Sequence, residues 1–194
     1  MDAVLIAQSA ARADVIVEKL GPTLLRGTTL LDLGPKTDQG LIVQAVLVPW
    51  FEIVQEIERN PEFLFQFAEN SRQFEEFIAG AYEQAGCEVE LTPHSGDRGR
   101  DVIAKVPGPI PFRVLDQCKA FSPGHVVTAN DVRAITGVLA STDMNSSKGV
   151  VTTTSTFAPG VYEEFAPLMP YRIELRDGAD LVNWLQEIAS VEKK

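Results

Sequence analysis

The chain opens with short apolar runs: Val4–Ile6, Val15–Val17, Leu30–Leu33, Leu41–Val43 and Val46–Val48. Turn signals at Gly21-Pro22, Gly34-Pro35 and Gln39-Gly40 separate them. β-branched runs bounded by turn residues predict short strands, following a first helix. At Pro49 the period changes. Trp50, Ile53, Val54 and Ile57 fall on one face of a helix predicted over Trp50–Arg59, which Asn60-Pro61 ends.

From residue 70 the pattern sharpens. Asn70 or Ser71 can cap a helix to about Ala85, with Phe74, Phe77, Ile78, Ala81 and Tyr82 inward and Gly86 as its stop. Three strands are predicted next: Cys87–Thr92, Asp101–Val106 and Phe112–Lys119. The proline-rich link Pro107–Pro111 suits a hairpin between the last two. Thr128 can cap a helix to about Ser141, with Asp131 completing a near capping box. Gly149–Thr154 and Tyr171–Leu175 read as strands and Ala158–Phe165 as a short helix. A final helix spans Asp177 to about Ser190, with Leu181, Trp184, Leu185 and Ile188 inward. The order α-β-β-β-α-β-α-β-α predicts an α/β domain, a mixed central sheet flanked by helices on both sides.

Composition changes this picture little. Of 194 residues, 45% are hydrophobic and 23% charged, ordinary globular values. Charge changes it more. With 17 Lys and Arg against 27 Asp and Glu, the net charge of −10 excludes a polybasic binder held on nucleic acid by bulk electrostatics. A local basic strip is still compatible with a nucleic-acid enzyme. Cys87 and Cys118 are too few for a disulfide framework and read as small buried residues. No basic segment precedes the first apolar run, and Leu41–Val54 is broken by Gln44, Pro49 and Glu52. The expectation is a soluble, cytoplasmic protein with no membrane partner.

The candidate chemistry lies on the second and third of those strands. Asp101 starts one, and Gln117 and Lys119 end the other. Alternation along a strand puts Gln117 and Lys119 on one face and Asp116 and Cys118 on the other. In a hairpin, Asp101 can lie beside the first pair. A carboxylate, an amide oxygen and an ammonium then converge, a set suited to a hard divalent cation and a positioned water.

Phe74-Glu75, Gly86, Ser95–Asp101, Gln117-Cys118-Lys119 and Val151–Thr154 stand in an order and spacing that resemble the Mrr-like restriction endonucleases. These belong to the PD-(D/E)xK nuclease superfamily, in a branch where glutamine replaces the acidic residue of the E-x-K pair. The resemblance covers roughly residues 70–190. It implies a restriction-endonuclease-like domain at 70–194; residues 1–69 lie outside the resemblance and read as a small N-terminal α+β extension or domain. It makes Asp101 the principal metal ligand, with Gln117 and the Cys118 carbonyl as further ligands. Glu75 would complete the site through water or bind a second ion. Lys119 would position the attacking water and stabilise charge on the phosphate. The implied cofactor is Mg²⁺, with Mn²⁺ as a substitute. The implied reaction is hydrolysis of DNA phosphodiesters, in prokaryotic restriction or phage defence.

Double-stranded DNA is the expected partner. A double-strand cut needs two sites, so a homodimer is expected, and residues 1–69 are open to a further subunit. Rival readings are a catalytically silent nuclease-like binding or assembly module, and an RNase or junction-resolving nuclease.

Two positions depart from the family pattern. Arg100 stands before Asp101 where relatives often carry an apolar residue; it can contact phosphate, pair with Asp116 or be solvated. Asp116 precedes Gln117 in the same way. A register slip of one residue would make Asp116 the ligand and turn Lys119 away. Asp97 reads as a turn cap or an extra ligand. Arg98, Arg100, Thr153 and His125 are the candidate DNA contacts. His94 and His125 lack the spacing of a zinc site.

Overall fold

The computed structural model describes Leu25 and residues 27–93, 99–109, 112–141 and 148–191. The runs Val4–Ile6 and Val15–Val17, the predicted first helix and loop residues His94, Asp97 and Arg98 lie outside the described residues.

Strands β1 (Leu31–Lys36) and β2 (Leu41–Val46) form an antiparallel hairpin. Gly34-Pro35, read above as a turn, lies inside β1, where the register shifts twice. β1 is an edge strand, and an edge tolerates a proline with no N–H to give. Val46–Val48 does not form a strand of its own: Val46 ends β2 and Val48 begins helix α1 (Val48–Arg59). Pro49 fits there because a first-turn N–H has no intrahelical partner. Trp50, Ile53, Val54 and Ile57 are its buried residues, the stripe the periodicity predicts.

An unpredicted 3₁₀ segment, Pro61–Glu69, leads into α2 (Ser71–Gln84). Asn70 caps α2 by accepting from the Gln73 N–H at 3.2 Å. Gly86 follows at φ +84°, a left-handed stop that glycine adopts without strain. β3 (Glu88–Leu91), β4 (Val102–Val106) and β5 (Phe112–Lys119) run as an antiparallel meander. Next come β6 (Val126–Val127), α3 (Ala129–Ser141), β7 (Lys148–Thr153) and β8 (Thr156–Phe157). The chain continues with α4 (Val161–Phe165), a 3₁₀ turn at Ala166–Leu168, β9 (Ile173–Arg176) and α5 (Gly178–Val191).

The main sheet has seven strands in the order β1-β2-β3-β4-β5-β7-β9. The first four pairings are antiparallel and β5-β7 and β7-β9 are parallel, so the sheet is mixed as expected. One face buries α1, α2 and α5 around Phe67, Phe74 and Phe77, with Val102, Ala104, Val114 and Val150 beneath. The other face buries α3 and α4 on Ile103, Leu115, Val151 and Ile173. Residues 31–69 share the first of these cores. β2 pairs with β3, and the Trp50 indole N–H donates to the Phe77 carbonyl at 2.9 Å. A separate two-stranded sheet, β6-β8, ties the chain leaving β5 to the chain leaving β7.

Candidate active site

The site is built where β5 outruns β4. Their ladder ends with Val102 opposite Asp116, while β7 stays paired with β5 through Gln117, Cys118 and Lys119. On its β4 side this strand end has lost its ladder partner, and buried backbone groups there need another. Asp101, just before β4, supplies one: its Oδ2 accepts from the Cys118 N–H at 2.7 Å. Asp101 is itself pinned, its N–H donating to the Asp116 carbonyl at 2.8 Å and its carbonyl accepting from the Thr92 N–H at 3.0 Å.

Side-chain direction follows from the two cores. Ile103 and Leu115 face α3, so Asp101, Gln117 and Lys119 share that face by alternation. Val114 faces α2, as do Asp116 and Cys118. The one-residue slip is therefore excluded. Asp101 is 7% and Gln117 8% exposed. The Gln117 Oε1 is buried and meets no hydrogen-bond donor among the described residues. A Cβ added at Gly99, where φ is +78°, would lie 3.8 Å from the Gln117 amide nitrogen and 3.8 Å from Val138 of α3.

Lys119 is held at both ends. Its carbonyl accepts from Thr153 Oγ1 at 2.8 Å and from the Thr154 N–H at 3.2 Å. Its ammonium lies 3.4 Å from Asp131 Oδ1 at the start of α3. Asp131 Oδ2 accepts from the Thr128 N–H at 2.9 Å and from Thr128 Oγ1 at 2.8 Å, the acid's half of the near capping box expected there. Burial raises the Asp131 carboxyl, but the Thr128 bonds and the Lys119 charge outweigh it and hold the group below the usual range.

Glu75 approaches from the α2 side, its carboxylate 2.7 Å from Arg72 Nη1. The same nitrogen donates to the Thr92 carbonyl at 2.8 Å, joining α2 to the end of β3. Burial pushes the Cys118 thiol well up, and Asp116, Asp101 and Glu75 push it further. A thiol held this far up is not a nucleophile.

Behind the site Asp116 is fully buried. It accepts from Tyr82 OH at 2.9 Å and Thr152 Oγ1 at 2.8 Å, and lies 3.6 Å from Arg176 Nη1. Burial pushes its carboxyl up to about 6, against the pull of Arg176 and the two hydroxyls. The Arg176 guanidinium sits 3.9 Å over the Trp184 ring, which shields the pair from water. Arg176 is thus the basic partner that Asp116 required.

Among the described residues, no three His, Cys, Asp or Glu side chains stand where they could share a metal. The donor set here is of another composition: carboxylates from Asp101 and Glu75, the Gln117 amide oxygen and the Cys118 carbonyl. All are hard oxygens, the kind Mg²⁺ takes. A buried amide oxygen with no donor is a group that native proteins rarely leave unsatisfied, and a cation would satisfy it. The residues fit a divalent ion.

The structure corrects one expected DNA contact. Thr153 is fully buried, and its hydroxyl holds the Lys119 carbonyl and the Ser155 N–H. His125 is exposed on the loop after β5, and Arg100 is half-buried beside Asp101. Arg98 and Asp97 lie outside the described residues. Sequence reasoning saw Asp131 only as a cap, although an acid at a helix start soon after the Lys119 strand was the signal for its second use.

A family model described as restriction endonuclease (Mrr_cat) matches residues 68–185, more than half of the chain. The chain belongs to this family. Among solved structures, the restriction endonuclease FokI is similar at 15% identity and a TM-score of 0.51, over 75% of this chain and 32% of that one. That likeness shows the shared restriction-endonuclease fold. MspJI in complex with a 27-mer oligonucleotide matches at 19% identity and TM-score 0.48, over 75% of this chain and 36% of that one. The modification-dependent restriction endonuclease AspBHI matches at 17% identity and TM-score 0.49, over 84% and 44%. The chain thus spans less than half the length of these enzymes. No curated protein matches it closely enough to count as a relative. Among the described residues, no helix of this restriction endonuclease domain is long and apolar enough to cross a membrane.

Proposed function

We propose that this protein is a metal-dependent endonuclease that hydrolyses DNA phosphodiester bonds, serving restriction or phage defence in the cytoplasm. The observation that carries the reading is the Gln117 oxygen, which meets no donor among the described residues and is buried at the overhanging end of β5 beside Asp101, on the face that carries Lys119. A divalent cation, Mg²⁺ or Mn²⁺, held by Asp101, Gln117 Oε1 and the Cys118 carbonyl, with Glu75 reaching it through water, would supply charge neutralisation and water activation.

The protein's own groups do the rest. The Cys118 N–H fixes the Asp101 carboxylate. The Thr153 hydroxyl and Thr154 N–H fix the Lys119 main chain, and so the root of the side chain that reaches the scissile phosphate. There Lys119 donates to a phosphate oxygen and orients the attacking water. Phosphoryl transfer needs this positioning and charge more than covalent chemistry. Arg98, Arg100 and His125 are proposed to contact the DNA backbone. With a net charge of −10, binding rests on this strip and the cation, so affinity for free DNA is weak and strongly salt-dependent. Residues 1–69 are proposed as an extension of the nuclease domain open to a further subunit, and a homodimer supplies the second cut.

Plasmid cleavage by wild type, Lys119→Ala and Asp101→Ala with Mg²⁺ or Mn²⁺ tests the reading. Cleavage by wild type and a fall of about 10²- to 10³-fold in each variant is expected. No cleavage of duplex DNA by wild type under either metal would replace it with a silent binding module. Preferential cleavage of RNA or branched DNA would reassign the substrate.

A further inference from the structure

Lys119 lies 3.4 Å from Asp131, and the two side chains are equally accessible, 25% each. This is not a chance surface pair, because Asp131 is not free to wander. One carboxylate oxygen closes the capping box on the Thr128 N–H and hydroxyl, and the other faces the ammonium. Thr128 is in turn anchored, since the preceding β6 pairs with β8 and the Ala158 N–H donates to the Val127 carbonyl at 2.8 Å. The chain connecting Lys119 to Asp131 is also tied down at Phe121, whose N–H and carbonyl both bond Thr154 Oγ1. An acid held this rigidly fixes the direction of a long, otherwise flexible lysine side chain.

We propose that Asp131 is a positioning residue for Lys119: the acid that caps α3 also aims the ammonium at the reacting phosphate. The inference rests on the nuclease reading above. An ammonium has three donors, so one contact to Asp131 sets its orientation and leaves the others for phosphate and water. The negative charge also offsets the cost of bringing a cation to a half-buried position.

The test uses the full chain as wild type, Asp131→Asn and Asp131→Glu. Asparagine still offers an oxygen to the Thr128 N–H but loses the charge; glutamate keeps the charge and suits the capping box. Brief labelling with an amine-reactive reagent, read by mass spectrometry, reports Lys119, with Lys105 and Lys148 as internal controls. In Asp131→Asn, Lys119 should label roughly 2- to 5-fold faster, the factor an ion pair of this exposure is worth, with the controls unchanged. On DNA its kcat should fall about tenfold or more with KM nearly constant, because misdirection affects the reacting geometry and not binding. Asp131→Glu should restore both readings in part, and thermal melting should separate either variant little from wild type.

Unchanged Lys119 labelling or unchanged kcat in Asp131→Asn overturns the proposal. So does a kcat loss matched by a fall in melting temperature and not rescued by glutamate, which would leave Asp131 a helix cap alone. If wild type cleaves nothing, the nuclease reading falls and takes the catalytic consequence with it. The labelling result would then still decide whether Asp131 holds Lys119.

Discussion

Replacing Gln117 with methionine should make the metal-free protein more stable while ending its response to metal. The Gln117 Oε1 is buried without a donor among the described residues, and a group in that state costs about 1–3 kcal/mol. Methionine has the same unbranched length and no polar atom, so the repacking cost of this near volume-conserving swap stays below about 1.5 kcal/mol. The balance favours the variant by about 1 kcal/mol in EDTA, a rise of about 2–4 °C in Tm for a chain of this size. Metal reverses the order. A cation that binds only the folded state at a hundredfold excess over its Kd adds about 2.7 kcal/mol to wild type, and little to a variant that has lost a ligand. Calorimetric melts of both proteins in EDTA and in saturating Mn²⁺ give the four numbers required. Equal stabilisation of both by metal would show that the ion does not touch Gln117. A variant less stable than wild type in EDTA by more than about 1 kcal/mol would show that the amide oxygen is satisfied after all.

The remaining expectations concern the scaffold around this site. Asp116 titrates at about 6 in the fold against 3.8 in the unfolded chain, so between those values the folded state holds a proton that the unfolded state has released. Its contribution is fully present below about pH 4 and is lost as pH rises through about 6, a swing of about 3 kcal/mol. Denaturation of metal-free wild type and Asp116→Asn across that window should show the fall only in wild type; parallel curves would contradict the assignment. Asn70→Ala removes the cap on Gln73 and should cost about 1 kcal/mol in urea unfolding. Gly80→Ala would place a methyl 2.6 Å from the Trp50 indole nitrogen, so despite alanine's better helix propensity it should destabilise by about 1–3 kcal/mol in the same assay.

How far the chain could be read without coordinates depended on how local each cause was. The α1 stripe of Trp50, Ile53, Val54 and Ile57 follows from helical spacing alone, and the structure buries those four. The Asn70 cap, the Gly86 stop and the capping box at Thr128 are each written within a few residues and could be read there. The fate of residues 31–69 was not local. Their apolar runs announce strands, but that β2 would add to β3 depends on Leu41 meeting Leu91, fifty residues on. Gly34-Pro35 misled for a related reason: a turn dipeptide is tolerated inside a strand when that strand lies at the sheet edge, and edge position is a tertiary fact.

The site divides along the same line. Alternation alone put Gln117 and Lys119 on one face, and the burial of Leu115 against α3 bears out that face. What alternation cannot give is the overhang. Asp101 is useful because β4 starts one residue after it while β5 runs on to Lys119, and only the register of the two strands sets that offset. The overhang also explains why Asp116 must be buried with Arg176. Gln117 faces one side of the sheet, so its neighbour is driven into the opposite core, sixty residues from the base that compensates it. A polar pair beneath the site costs desolvation that an apolar residue would not. Its effect is to hold Tyr82 of α2, Thr152 of β7 and Arg176 of β9 to a single carboxylate on β5. The strand that carries Gln117 and Lys119 is thereby fixed from both neighbouring directions, across the sheet and beneath it. A site that works by positioning needs its carrier strand to be rigid, and here one buried acid ties that strand to the rest of the fold.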